Sequence, residues 1–200
     1  MRLKHADGFA CLASDNFGSA YLYNKTFSSA GTIKLASNAN KAHFDYMQLD
    51  RASNARLEGF DVGHALNAGE PAYTTMVKVY KSSGIKVEGM SIHGSLTDSP
   101  ANDGIGLYVT NSSNVLMGSS FRDLFRGSYF EKSTNVTVSA SNDQMTRADG
   151  IDVGKSHRIA IDKNVFGIFQ LVADDHPDAI QFWQSIRPMV RQPSRSPTIR

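Results

Sequence analysis

The sequence predicts an all-β chain, a single right-handed parallel β-helix of about five to six coils with an irregular N-terminal cap. Three observations predict it. Helical periodicity is nearly absent, and short runs of Val, Ile, Phe, Tyr and Thr alternate with Gly, Asn, Ser and Asp. Two short units each recur along the chain. The two units interleave, so each coil contains both in the same order.

The first unit is a Ser/Asn turn followed by an alternating strand. Its copies begin at Ser53-Asn54, Ser83-Gly84, Ser113-Asn114, Thr134-Asn135 and His157-Arg158, at spacings of 30, 30, 21 and 23 residues. The second unit runs Asp103-Gly104-Ile105, Arg126-Gly127-Ser128, Asp149-Gly150-Ile151 and Asp178-Ala179-Ile180, at spacings of 23, 23 and 29 residues. Strands rise ~3.3 Å per residue and pair ~4.8 Å apart. A coil with three short strands therefore closes on itself and stacks on the next. One coil cannot bury its apolar face alone, so several must stack.

The alignment of coils predicts inward columns Ile105, Ser128, Ile151, Ile180 and Leu107, Phe130, Val153, Phe182. It puts a tight corner at Gly104, Gly127, Gly150 and Ala179. It also stacks Asn54, Asn114 and Asn135 at a turn, where Asn tolerates unusual backbone angles.

Three segments follow. Residues 1–43 hold short strands, 18–23 and 31–35, that lack the later register and are expected to cap the stack. Residues 44–186 form the β-helix. Residues 187–200 are a basic, Pro-containing tail or the start of a truncated coil. Pro197-Thr198-Ile199-Arg200 reads as the opening of another strand, so further coils are expected beyond Arg200.

The net charge of +2 is misleading as an average, because the tail carries Arg187, Arg191, Arg195 and Arg200 and no acid. The body is slightly acidic, and nucleic acid is not an expected partner. No stretch approaches the ~18 apolar residues of a membrane helix, so membrane insertion is not expected. Met1–Asp7 lacks the apolar run of a secretory signal. The one cysteine, Cys11, excludes an internal disulfide.

The segment Asp174-Asp175-His176-Pro177-Asp178-Ala179-Ile180-Gln181-Phe182-Trp183 resembles a His-Pro-Asp-x-Ile-Gln-Phe-Trp segment of bacterial β-helix proteins. Asp149-Gly150-Ile151-Asp152 resembles a second segment of the same group. With the coil pattern, these residues are similar to the right-handed β-helix superfamily of carbohydrate-active proteins. That superfamily includes pectate and alginate lyases, mannuronan epimerases, polygalacturonases and phage tailspikes. The resemblance covers roughly residues 44–186. It implies a polysaccharide partner and an extracellular or phage-particle location, and it leaves a homo-oligomer open. One fold hosts many activities. The epimerase segment runs Asp-Pro-His-Asp, whereas here the order is Asp175-His176-Pro177-Asp178, so that mechanism is not carried over.

The same alignment places Asp103, Arg126, Asp149 and Asp178 in one column, which reads either as a surface charge ladder or as a site. By strand alternation, Gly106, Tyr129, Asp152 and Gln181 point outward, with Tyr108, Glu131, Gly154 and Trp183 beside them. The site reading is a groove for an anionic, uronate-containing polysaccharide worked on by lyase or epimerase chemistry. Such proton abstraction needs a base, a proton donor and a neutraliser of the substrate carboxylate. His176, Asp152, Tyr129 and Arg126 are the catalytic candidates, with His157 a second histidine and Arg147 a second neutraliser. Trp183, Gln181, Asp149, Lys155 and Glu131 are the substrate-binding candidates, Trp183 as a stacking platform. Asp174, Asp175 and Asp178 are the candidate Ca²⁺ ligands, since that ion takes several oxygens. The alternatives are a non-catalytic glycan-binding, adhesin or tailspike-like module, and an inactive fragment of a longer β-helix protein. For Trp183 the plainer reading is a core or interface residue, and for His176 a loop residue before a turn proline.

Overall fold

The structure is a computed structural model that describes residues 9–12, 15–35, 42–97 and 99–183. These form eighteen strands, β1 to β18 in chain order, and every pairing between them is parallel. Among the described residues there is no α-helix, only a 3-10 turn at Pro100–Asn102. Each strand pairs with its equivalent one turn away, giving a β-solenoid of about six turns. The predicted tail at 187–200 lies outside the described residues.

Three faces run along the solenoid. The first holds β2 (Ser19–Tyr23), β5 (Tyr46–Asp50), β8 (Thr75–Tyr80), β10 (Ile105–Thr110), β12 (Arg126–Glu131), β15 (Ile151–Gly154) and β18 (Ile180–Trp183). The second holds β1 (Phe9–Leu12), β3 (Thr26–Leu35), β6 (Ser53–Glu58), the leading halves of β9 (Ser83–His93) and β11 (Ser113–Leu124), β13 (Thr134–Ser139) and β16 (His157–Asp162). The third holds β4 (His43–Phe44), β7 (Asp61–Gly63), the trailing halves of β9 and β11, β14 (Asn142–Thr146) and β17 (Val165–Phe166). Strand β9 turns between faces near Gly89, whose φ is +58°, after pairing with β6 and before pairing with β7.

The Ser/Asn turn has the register the sequence predicts. Ser53 pairs with Ser83, Ser83 with Ser113, Ser113 with Thr134 and Thr134 with His157. Asn54, Gly84, Asn114, Asn135 and Arg158 all take positive φ there, and Asn135 Nδ2 donates to Asn114 Oδ1 at 3.0 Å. Just before this turn lies a buried serine ladder. The backbone N–H groups of Ala52, Ser82, Ser112 and Ser133 donate to Oγ of Ser82, Ser112, Ser133 and Ser156 respectively. Each hydroxyl thus satisfies a corner amide that would otherwise be buried without a partner.

On the first face the register differs from the expectation in one interval. Ile105 pairs with Arg126 and Leu107 with Ser128, whereas the alignment had set Ile105 over Ser128 and Asp103 over Arg126. The offset from β10 to β12 must equal that from β11 to β13, because each pair is joined by the same short corner with no insertion. The inward columns are therefore Met47, Val77, Leu107, Ser128, Ile151, Ile180 and Leu49, Val79, Val109, Phe130, Val153, Phe182. The glycine column is Gly106, Gly127, Gly150 and Ala179, not one starting at Gly104. A Cβ at Gly106 would lie 2.6 Å from the Gly127 carbonyl, so no side chain fits. Asp103 lies elsewhere, buried, with Oδ1 accepting the Ser95 N–H at 2.8 Å.

The stack also starts earlier than the predicted boundary at 44. Strands β2 and β3 pair in parallel with β5 and β6, Ser19 with Tyr46 and Thr26 with Ser53. They are turns of the solenoid itself, and their Leu22 and Phe27 join the core.

Candidate functional site

Outward positions on the first face bring several predicted residues together. Tyr108, Tyr129, Asp152 and Gln181 occupy one column, and Thr110, Glu131, Gly154 and Trp183 the next. The corrected register places Tyr108, not Gly106, beside Tyr129. Their rings stack at 5.3 Å between centroids and 22° between planes. Tyr108 Oη donates to Glu131 Oε2 at 2.6 Å. Tyr129 leans over Gly154, where a Cβ would come within 3.0 Å of its hydroxyl.

Next along the column sits a buried ionic cluster. Asp152 points outward yet is 0% exposed, covered by Trp183, whose Nε1 donates to Asp152 Oδ1 at 3.0 Å. Arg126 Nε lies 3.2 Å from Asp152 Oδ2 and 3.6 Å from Asp149 Oδ2. The Asp178 N–H donates to Asp149 Oδ1 at 3.2 Å. Burial raises both carboxyls above the usual aspartate range, against the opposing pull of Arg126 on each and, on Asp149, of the Asp178 N–H. Asp149 raises Asp152 further, by less than burial does, so burial remains the main cause for both. Arg126 is thus already balanced by this pair and is not a free neutraliser of a substrate carboxylate.

Tyr129 adjoins Asp152 in the column, and burial raises its hydroxyl, with the charges of Glu131 and Asp152 adding to it, so the phenol keeps its proton near neutral pH. His176 is exposed, and His157 opens β16 on the second face. Arg147 Nε holds Asp175 at 2.6 Å. Asp174 is exposed with a φ of +72°, and Asp178, four residues on, is exposed too. The oxygens of Asp174, Asp175 and Asp178 do not converge within 4.8 Å of one another.

Two further features of this face were not read from the sequence. The first is an open polar cleft of about 590 Å³ at its N-terminal end, floored by Tyr21, Tyr46 and Gln48 and walled by His64, Asn67 and Glu70 of the loop before β8. Tyr21 is 63% exposed, and its ring lies 5.5 Å from that of Tyr46. Tyr46 Oη donates to Gln48 Oε1 at 2.6 Å, and burial pushes its hydroxyl up to about 12. Glu70 accepts the Asn67 N–H at 2.6 Å, which holds its carboxyl below the usual glutamate range. A long loop between alternating strands was the available signal.

The second is a row of four cations and one asparagine on the corner that ends the first face. Arg51, Lys81, Asn111, Lys132 and Lys155 occupy equivalent positions one turn apart, each N–H bonding to the next turn. All are exposed with positive φ between 47° and 53°. Arg51 is paired with Asp50 at 3.2 Å and Lys132 with Glu131 at 3.4 Å, while the Lys81 ammonium sits over Tyr80 at 4.9 Å. Left-handed backbone is unfavourable for such residues by roughly 1–2 kcal/mol each, and the stacked corner imposes it.

Comparison with known proteins gives no match: no family profile, no curated protein and no solved structure matches the chain.

Proposed function

We propose that the protein is a carbohydrate-active solenoid that holds an anionic polysaccharide along its first face. The observation that carries this reading is a band of outward aromatic rings beside a basic corner. Tyr21, Tyr108 and Tyr129 share one outward column with Gln48 and Lys78, Tyr46 and Trp183 lie in the columns on either side of it, and Arg51, Lys81, Lys132 and Lys155 line the corner that flanks them. Successive turns are ~4.8 Å apart, the strand spacing. Aromatic faces pack on sugar C–H surfaces while Gln48, Gln181 and Glu131 offer hydroxyl partners. A row of cations favours uronate carboxylates over neutral sugars. The sequence resemblance to carbohydrate-active β-helix proteins points the same way.

Affinity electrophoresis and calorimetry with polyuronates such as alginate and pectate, beside a neutral glucan, test it. Polyuronate binding that weakens with added salt is expected. Equal binding to the neutral glucan, or none to any polyuronate, refutes the reading. Lyase or epimerase chemistry is a second reading, favoured by the Arg126, Asp149 and Asp152 cluster next to Tyr129 on this face. It predicts an unsaturated-uronate absorbance or an altered epimer ratio by NMR, with or without Ca²⁺. Neither change on any bound polymer leaves binding as the function.

A further inference from the structure

The third face carries a cluster that the glycan reading does not use. His43 of β4, Asp61 of β7 and His93 at the end of β9 lie on three successive turns. His43 Nδ1 is 2.8 Å and His93 Nε2 3.2 Å from the same oxygen, Asp61 Oδ2. All three ligand atoms lie within 4.8 Å of one another. The rings are nearly parallel, with centroids 6.0 Å apart.

The outer sides of both rings are also held. His93 Nδ1 is 2.8 Å from the Gly94 carbonyl, and His43 Nε2 is 3.3 Å from Asp45 Oδ1. All four imidazole nitrogens therefore face oxygens that only accept. With the one N–H of each neutral imidazole given to its outer partner, His43 Nδ1 and His93 Nε2 turn lone pairs toward Asp61 Oδ2, and these three atoms are a ligand set for a divalent cation.

From this geometry we infer that His43 Nδ1, Asp61 Oδ2 and His93 Nε2 form a binding site for a first-row divalent transition metal of the Zn²⁺ class. Imidazole and carboxylate ligands suit such ions, whereas Ca²⁺ and Mg²⁺ require oxygen. Tetrahedral sites with bonds of ~2.0–2.1 Å have ligand atoms ~3.3 Å apart, close to the two N···O separations here. The Gly94 carbonyl and Asp45 act as the outer hydrogen-bond partners that fix the rings of metal-bound histidines. His43 and Asp61 are about a quarter exposed in their side chains, which leaves an entry path and an open coordination position. A bound ion ties three turns of the solenoid together on its outer surface.

The test uses the untagged full chain, stripped with chelator, in calorimetry with Zn²⁺ and in visible absorption with Co²⁺. One equivalent of Zn²⁺ is expected, with a rise in unfolding temperature by mass action and Co²⁺ d–d bands. Neither Ca²⁺ nor Mg²⁺ is expected to bind there. His43→Gln and His93→Gln should lose more affinity than the ~10–100-fold that loss of an outer-shell partner costs, while His157→Gln binds as the parent does. Should His93→Gln fail to fold by circular dichroism, His43→Gln, at the more exposed of the two histidines, decides. Absence of one-to-one Zn²⁺ binding, equal binding of Ca²⁺, or full affinity in His43→Gln overturns the proposal. None of these readouts depends on polysaccharide binding.

Discussion

Tyr108 and Tyr129 stand one turn apart with their rings stacked at 5.3 Å, and Tyr108 is fastened to Glu131 by a 2.6 Å hydrogen bond. Burial pushes the Tyr108 hydroxyl up to about 12, with Glu131 beside it adding to the effect. Both phenols therefore stay neutral across ordinary pH, and the pair is a fixed stacking surface rather than a source of base. Tyr108→Ala and Tyr129→Ala should each weaken polyuronate binding by about 1 kcal/mol, roughly five-fold, in calorimetry. Unchanged affinity in both variants would remove these rings from the binding surface.

Arg126 matters for stability more than for binding. Its guanidinium balances the buried Asp149 and Asp152 carboxyls. Removing one partner of a buried ion pair costs ~3–5 kcal/mol because the other charge is left uncompensated. Arg126→Gln should sit near the lower limit, since its side chain is 26% exposed, and lower the melting temperature by roughly 6–12 °C. Adding Asp152→Asn removes the stranded charge, so the double variant should recover part of that loss. Additive losses in thermal unfolding would show that the residues do not act as a unit.

The corrected register makes a prediction at Gly106. A Cβ there would meet the Gly127 carbonyl at 2.6 Å and the Leu124 and Phe121 side chains at 2.7 and 2.9 Å. Gly89, by contrast, has a φ of +58° but nothing within 4 Å. Gly106→Ala should therefore destabilise through packing by ~1–3 kcal/mol, and Gly89→Ala by about 1 kcal/mol through backbone strain alone. Equal midpoints in urea for Gly106→Ala and the parent would contradict the pairing of Ile105 with Arg126.

The solenoid was legible because its turn chemistry repeats. Asn54, Gly84, Asn114 and Asn135 mark left-handed backbone in the sequence itself, and the spacing between them carried over intact to the second face. The first face slipped by two residues because Gly104 and Gly106 both offer a glycine to align with Gly127. The 21-residue offset that β10–β12 shares with β11–β13 across the same short corner chooses between them. Arg126, Asp149, Asp152 and Trp183 were legible on one face because the coil alignment places the first two and strand alternation the others. Their burial was not, since it depends on the Trp183 indole covering a carboxylate. The serine ladder of Ser82, Ser112, Ser133 and Ser156 reads as loop polarity until its hydroxyls are seen to accept corner amides. His43, Asp61 and His93 form no local motif, and parallel stacking across turns is what joins them.

A last consequence concerns Asp143, which occupies an inward position in the stack of the third face, between Phe121 and Phe166. It is 5% exposed, and Thr146 Oγ1 donates to its Oδ1. Burial pushes this carboxyl up to about 7, against the opposing effect of the Thr146 hydrogen bond. An unfolded aspartate titrates near ~3.9. Between those values the folded chain binds more protons than the unfolded chain, so stability falls as pH rises. The contribution is fully present below about pH 4 and is lost as pH passes through about 7. Asp143→Asn keeps the shape and an acceptor for Thr146 but cannot ionise. It should unfold at higher urea than the parent at pH 8 and show a smaller advantage at pH 5. Asp103, Asp149 and Asp152 are also raised by burial and give the parent a slope of the same sign. Both proteins keep those three groups, so the difference between the two pH profiles isolates Asp143. Parallel profiles from pH 5 to pH 8 would mean that this carboxyl reaches water and is not held neutral by the core.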